Sequence, residues 1–322
     1  MTTTNLDPSS IPLPTRRRPR IGETGLRALT AATALLLVAI MALLVYETAR
    51  QAWPSIQEFR LGFITSDQWN VVTGQFGALN FIIGTLLTSV VALVIAVPMA
   101  IAIGLFLSEL APRVLRTPVG LMVELLAAIP SVVLGLWGIL VMGPFLAEHV
   151  EPWLSDHLGF IPLFSGYPSS QGVLPACVVL SIMVVPIVAS ISRELFLSVP
   201  SELKQGAMAL GATRWEMVRS VMLPYVSGGL VASTMLGFGR AVGEAIAVTQ
   251  VIGGANAISR SLFPPGDTMA SRIAAQYAGT ATSLQRSSLA YLAVLLLIIS
   301  LITNIAAQLI SGRLQRRLGG EA

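Results

Sequence analysis

Six separate stretches of this chain are apolar over lengths at or above the roughly 20 residues that a helix needs to cross a bilayer. They cover about residues 26–46, 78–107, 119–146, 173–196, 228–254 and 289–311. Hydrophobic residues make up 54% of the 322 and charged residues 11%, against about 25% charged in a typical soluble domain. Much of the chain must therefore face lipid. The expected fold class is all-α: a polytopic transmembrane helical bundle with six spans. Several stretches exceed the minimum length, which predicts tilt or interfacial ends. Pro98, Pro130 and Pro186 fall inside spans two, three and four. Each removes a backbone donor and is expected to kink its helix, with neighbouring helices covering the break. The first stretch is longer than the about 7–15 apolar residues of a signal peptide, and no Ala-x-Ala site follows it closely, so it is expected to be retained.

An even number of spans places both chain ends on one side. That side collects Arg16, Arg17, Arg18, Arg20 and Arg27, then Arg113 and Arg116, then Arg193, Lys204, Arg214 and Arg219, and finally Arg313, Arg316 and Arg317. The other side holds Arg50, Arg60, Arg260, Arg272 and Arg286. Fourteen against five marks the first side as cytoplasmic, with both termini and residues 201–224 there. The chain divides into a disordered basic cytoplasmic extension (1–25), a first transmembrane helix with its external loop (26–77), a core of five spans (78–312) and a cytoplasmic tail (313–322). The loop 147–171 carries Glu148, Glu151 and Asp156 and no basic residue, which suits an external position. The loops 47–77 and 255–288 are expected outside as well, packed as short ordered pieces.

Several chemistries lose their reagents at this point. Cys177 is the sole cysteine, so no intramolecular disulfide framework exists. The sequence pI of about 9.7 does not read as nucleic-acid binding, because the basic residues sit at the ends of apolar segments. A phosphate-cradling Walker A loop needs Gly immediately before Lys; the only lysine, Lys204, follows Leu203. His149 and His157 lie among the acidic residues of loop 147–171, a spacing that suits a metal less well than a solvated loop. No cofactor is expected on this chain, and energy must come from another subunit.

Residues 201–224 are helix-prone, charged and interrupted by Gly211-Ala212-Thr213, between two long apolar segments. A helix pair held outside the bilayer is the helix-in-groove mode of protein recognition. The other reading is a helix lying on lipid headgroups, against which the small residues of 205–210 offer no Phe or Leu wedge. The segment resembles the coupling motif of ABC importer permeases, E-A-A-x3-G-x9-I-x-L-P. Gln205, Gly206 and Ala207 occupy the E-A-A positions, Gly211 follows after three residues, and Val221, Leu223 and Pro224 follow after nine more. Gln205, Gly206 and Val221 depart from the pattern, while the spacing is kept throughout. Gly211 offers a break and Pro224 marks a helix end.

Three further stretches resemble the phosphate-specific branch of that family, the PstC type. They are residues 76–86 (FGALNFIIGTL), 124–133 (ELLAAIPSVV) and 239–245 (GRAVGEA), in order and in the right spans, with Asn80 and Ala245 as departures. The resemblance implies a type I ABC importer permease (MetI-like) fold and the import of inorganic phosphate. It further implies a PstA-type permease partner, two PstB-type ATPase subunits carrying ATP and Mg, and an external PstS-type binding protein. Ala212, Thr213 and Arg214 join the coupling residues named above. Another oxyanion such as sulfate or molybdate, and a non-transporting membrane scaffold or sensor, stay open as alternatives.

Arg240 and Glu244 fall near the middle of the fifth stretch, four residues apart and thus on one helical face. An unpaired charge at that depth costs roughly 2.5–3.5 kcal/mol, so such residues normally face protein or a wet cavity. A guanidinium fork matches two oxygens of a phosphate. Arg240 is the expected anion contact, with Glu244 orienting it; an ion pair without substrate contact is the competing reading. Glu124 is either a second gate or partner contact, or a snorkelling interfacial carboxylate. Ser131 and Thr85 either donate into the pathway or join helices, the more common role for such hydroxyls.

Overall fold

The computed structural model describes residues 21–257 and 259–319. Among the described residues six helices are long and apolar enough to cross a membrane. Helix α1 covers Ile21–Phe59; its turns at 21–25 lie inside the stretch expected to be disordered, and the rest of that extension lies outside the described residues. From residue 25 to 46 every side chain of α1 is exposed, as a lipid-facing helix requires.

From Thr48 onward the chain forms one compact unit. Helix α2 covers Leu79–Leu110, α3 Arg113–Ala128, α4 Ser131–Leu158, α5 Val173–Leu197, α6 Ser201–Ala209 and α7 Arg214–Gly243. Short helices α8 (Ile246–Val251) and α9 (Met269–Gln276) precede α10 (Ser283–Gly319). A hairpin of β1 (Trp69–Asn70) and β2 (Gln75–Phe76) pairs Trp69 with Phe76, so the segment before α2 does pack as an ordered piece.

Helix α5 is the most buried crossing helix. Its Ala176, Val179, Leu180, Val184 and Val188 meet Ala92, Ala96 and Ala100 of α2, small residues that let two backbones approach. Ser181 Oγ donates to Ala92 O at 3.1 Å across that contact. Pro98 and Pro186 lie inside unbroken helices.

Pro130 behaves differently from expectation. The apolar run 119–146 is not one span: α3 ends at Ala128 and α4 begins at Ser131. Pro130 has φ −59° and ψ 139°, and a proline both forbids the helical donor and pushes its predecessor into extended backbone. Ile129 accordingly has ψ 125°. The crossing helix is therefore shifted along the chain and reaches Leu158, which places Glu148, His149, Glu151 and Asp156 on helix rather than in a loop. Glu151 is fully buried and accepts from Ser169 N at 2.7 Å, so its reading as a solvated loop residue is corrected.

The loops at the other helix ends are pinned to α2. Asn80 Nδ2 donates to Asp67 O at 2.9 Å and to Asn256 Oδ1 at 3.2 Å. Gly84 faces the chain between α8 and α9 so closely that a Cβ would lie 2.0 Å from Asp267 O. No side chain fits there.

Candidate coupling segment and translocation site

Helix α6 ends in a left-handed turn at Gly211, φ +88°. Gly211 N donates to Met208 O at 3.0 Å and Ala212 N to Ala207 O at 3.1 Å, the paired bonds of a Schellman C-cap. Two residues later Thr213 caps α7: its side chain accepts from Glu216 N, and the Glu216 carboxylate accepts from Thr213 N at 2.8 Å. Both ends facing the turn are thus closed, and the break is set rather than slack. A β-branched residue is strained at positive φ, so Gly211→Val is expected to cost about 1–3 kcal/mol locally. Purification with a tagged ATPase partner should show the variant recovering less of that partner than wild type.

The surface this turn presents is apolar and open. Leu210 is 92% exposed and Trp215 64%, while Met217 and Val218 on the opposite face are buried with Phe196, Val199 and Met222. Gln205 and Gly206 are exposed and Ala207 is half-buried. An expectation fails at Pro224. It does not end a helix, because α7 continues through it to Gly243. A π-turn at Val218–Met222 precedes it, with Leu223 N bonded to Val218 O five residues back. That wider turn makes room for a residue with no donor. The second helix of the 201–224 segment and the fifth span are one rod.

Arg240 lies in the last turn of α7 and is exposed. The shared-face reading with Glu244 does not hold, since the helix stops at Gly243 and Glu244 has extended backbone, ψ 117°. Glu244 Oε1 instead accepts from Ala247 N at 3.2 Å, closing the first turn of α8. Among the described residues no ion pair joins it to Arg240. Helix α8 in turn packs on the start of α4, where a Cβ on Gly135 would lie 2.9 Å from Ala247 Cα. Half-buried Ser131 thus opens α4, Glu244 lies two residues ahead of the α8 that packs on it, and Arg240 lies one turn before the break.

The other two candidates lie elsewhere. Thr85 is buried, donates to Phe81 O at 2.7 Å and accepts from Met269 N at 3.0 Å, so it ties α9 to α2. Glu124 lies on α3 ahead of the crossing helix, in a groove of about 260 Å³ with Val123, Ala189, Arg193 and Glu194.

Two charged pairs escaped the sequence. Asp267 Oδ2 and Arg272 Nε stand 2.7 Å apart with side chains 5% and 8% exposed. Asp267 Oδ1 also accepts from Thr268 N at 2.8 Å and from Ser271 Oγ. The guanidinium lies over Phe81, 4.8 Å from the ring centre. Burial pushes the Asp267 carboxyl above its usual range and Arg272 below its own, each opposed by the charge of the other. Arg272 is thus a core residue, not the loop charge that orientation counting assumed. The second pair is Lys204 with Glu109, 2.6 Å apart. The spacing Asp-x4-Arg and the lone lysine were visible, but not that either pair would close.

Residues 96–318 match the family described as "Binding-protein-dependent transport system inner membrane component". The chain is 41% identical over 313 residues to the phosphate transport system permease protein PstC of Haemophilus influenzae, covering 95% of this chain and 99% of that one. It is 39% identical over 307 residues to PstC 2 of Mycobacterium tuberculosis, covering 93% of each. Among solved structures, it superposes on a chain of the bacterial alginate ABC transporter complex with TM-score 0.57 at 16% identity, covering 92% of this chain and 97% of that one. It superposes on a chain of the inward-facing MetNI methionine ABC transporter with TM-score 0.50 at 22% identity, covering 74% and 94%. The fold is that of a type I ABC importer permease. With its apolar spans, its doubly capped turn at Gly211 and these relatives along nearly its whole length, the chain belongs to the binding-protein-dependent inner-membrane transport components, in the PstC branch of permeases.

Proposed function

We propose that this chain is one permease subunit of an ATP-driven importer of inorganic phosphate. It pairs with a PstA-type permease, and the pathway runs between the two. Two PstB-type ATPase subunits hold ATP and Mg on the cytoplasmic side, one of them docked on residues 201–224, and a PstS-type protein delivers phosphate from outside. Both termini are cytoplasmic, as the arginine distribution supports. The observation that carries the reading is the doubly capped turn at Gly211, which holds Leu210 and Trp215 out of the core. An open apolar surface rimmed by charge suits a groove on a partner.

Closure of the ATPases would displace that turn and shift the permease pair between its two open states. Arg240 supplies the anion contact and Glu244 holds the break beside it. Reconstitution of the assembly in proteoliposomes tests this: ATP-dependent phosphate uptake, not competed by sulfate or molybdate, is expected. Absence of ATP-dependent uptake, or labelling of Arg214 and Trp215 from outside, would overturn it.

A further inference from the structure

Helix α6 meets α2 through a charged contact. Lys204 Nζ lies 2.6 Å from Glu109 Oε1, and the side chains are 20% and 21% exposed. Apolar packing around the pair is incomplete. A cavity of about 500 Å³ separates Leu105, Glu109 and Leu110 of α2 from Met208, Arg214 and Trp215 of the coupling segment. Dispersion contact falls steeply across a gap, so packing passes displacement poorly on the Met208, Arg214 and Trp215 side, while Leu105 and Ala207 still pack on the cluster of Met217, Val218 and Met222. A charge pair at hydrogen-bond length reaches across it. Behind Glu109, α2 is seated firmly: a Cβ on Gly104 would lie 2.8 Å from Ser192 Cβ and 2.9 Å from Arg193 N of α5. Glu109 itself lies on the π-turn Phe106–Leu110, at the free end of that seated block.

We propose that Lys204 and Glu109 form a strut that passes movement of the coupling segment to span two. Helix α7 receives that movement directly, being continuous with the segment. Span two has no such covalent route: Ile101 and Leu105 pack on the cluster of Met217, Val218 and Met222 of α7, and this pair ties its far end to α6. Helix α5 already packs closely on α7, where a Cβ on Gly229 would lie 2.5 Å from Leu195 Cδ2, and the pair adds the Glu109 end of α2 to that movement. The inference rests on the permease reading and adds to it two positioning residues. A pair that only stabilised the fold would alter assembly without altering how work is divided.

The test uses the full assembly with its ATPase subunits and binding protein in proteoliposomes, carrying Lys204→Met, Glu109→Gln or the swap Lys204→Glu with Glu109→Lys. Phosphate moved per ATP hydrolysed is expected to fall at least about 5-fold in each single variant, the low end of coupling between sites, and to recover in the swap. An unchanged ratio in both single variants, or no recovery in the swap, overturns the strut. A wild-type assembly that hydrolyses ATP without moving phosphate refutes the permease reading instead. The strut is then read by distance between nitroxides at Ser201→Cys and Leu110→Cys. That distance should hold on nucleotide addition in wild type and change in Lys204→Met; a change in both sinks the proposal.

Discussion

Replacing Asp267 by Ala is expected to destabilise the protein by about 3–5 kcal/mol, because it strands a buried guanidinium. Arg272 would keep its bond to Gly254 O at 3.2 Å and its place over Phe81, but lose its counter-charge. The same change removes one of the acceptors of Thr268 N and of Ser271 Oγ, the two residues that cap α9. Thermal unfolding of the purified protein should show a large fall in midpoint. The double variant Asp267→Leu with Arg272→Met should recover much of the loss, since an apolar pair leaves no charge unpaired. A midpoint unmoved in Asp267→Ala would show that water reaches the site.

Arg240→Gln is expected to lower phosphate uptake by about 10- to 100-fold, the range set by losing one hydrogen bond to a charged group. The fold should be unaffected, because Arg240 is exposed and makes no ion pair among the described residues. Thermal midpoint and recovery of partner subunits are the controls. Glu244→Gln should lose less, as the amide oxygen still accepts from Ala247 N. Uptake at the wild-type level in Arg240→Gln, with normal assembly, would assign the anion contact elsewhere.

The spans were legible because their signal is local: hydropathy over about 20 residues needs no knowledge of neighbours. The break at Gly211 was legible for the same reason, since a glycine there is a stop signal in its own right, whereas the Thr213 cap of the next helix emerged only from the structure. The misreadings share another cause. An apolar run through Pro130 cannot say whether the proline kinks one helix or opens the next. Spacing placed Arg240 and Glu244 on one face only if the helix persisted, and it ends between them. Pairs such as Glu109 with Lys204 are 95 residues apart in sequence, so they follow from packing and not from pattern. Thr85 was read as a joining residue ahead of a pathway one, and its bond to Met269 fits the joining role.

The unbroken rod from Arg214 to Gly243 has a mechanical corollary. Its 30 residues extend about 45 Å at the usual rise per residue. Pivoting such a rod by about 5° at one tip swings the opposite tip through roughly 4 Å, enough to open or shut a passage the width of a small ion. The π-turn near its base is where a bend would absorb that swing before it arrived. Stiffening or loosening those five residues should therefore tune the stroke length delivered to Arg240 while leaving both tips chemically untouched.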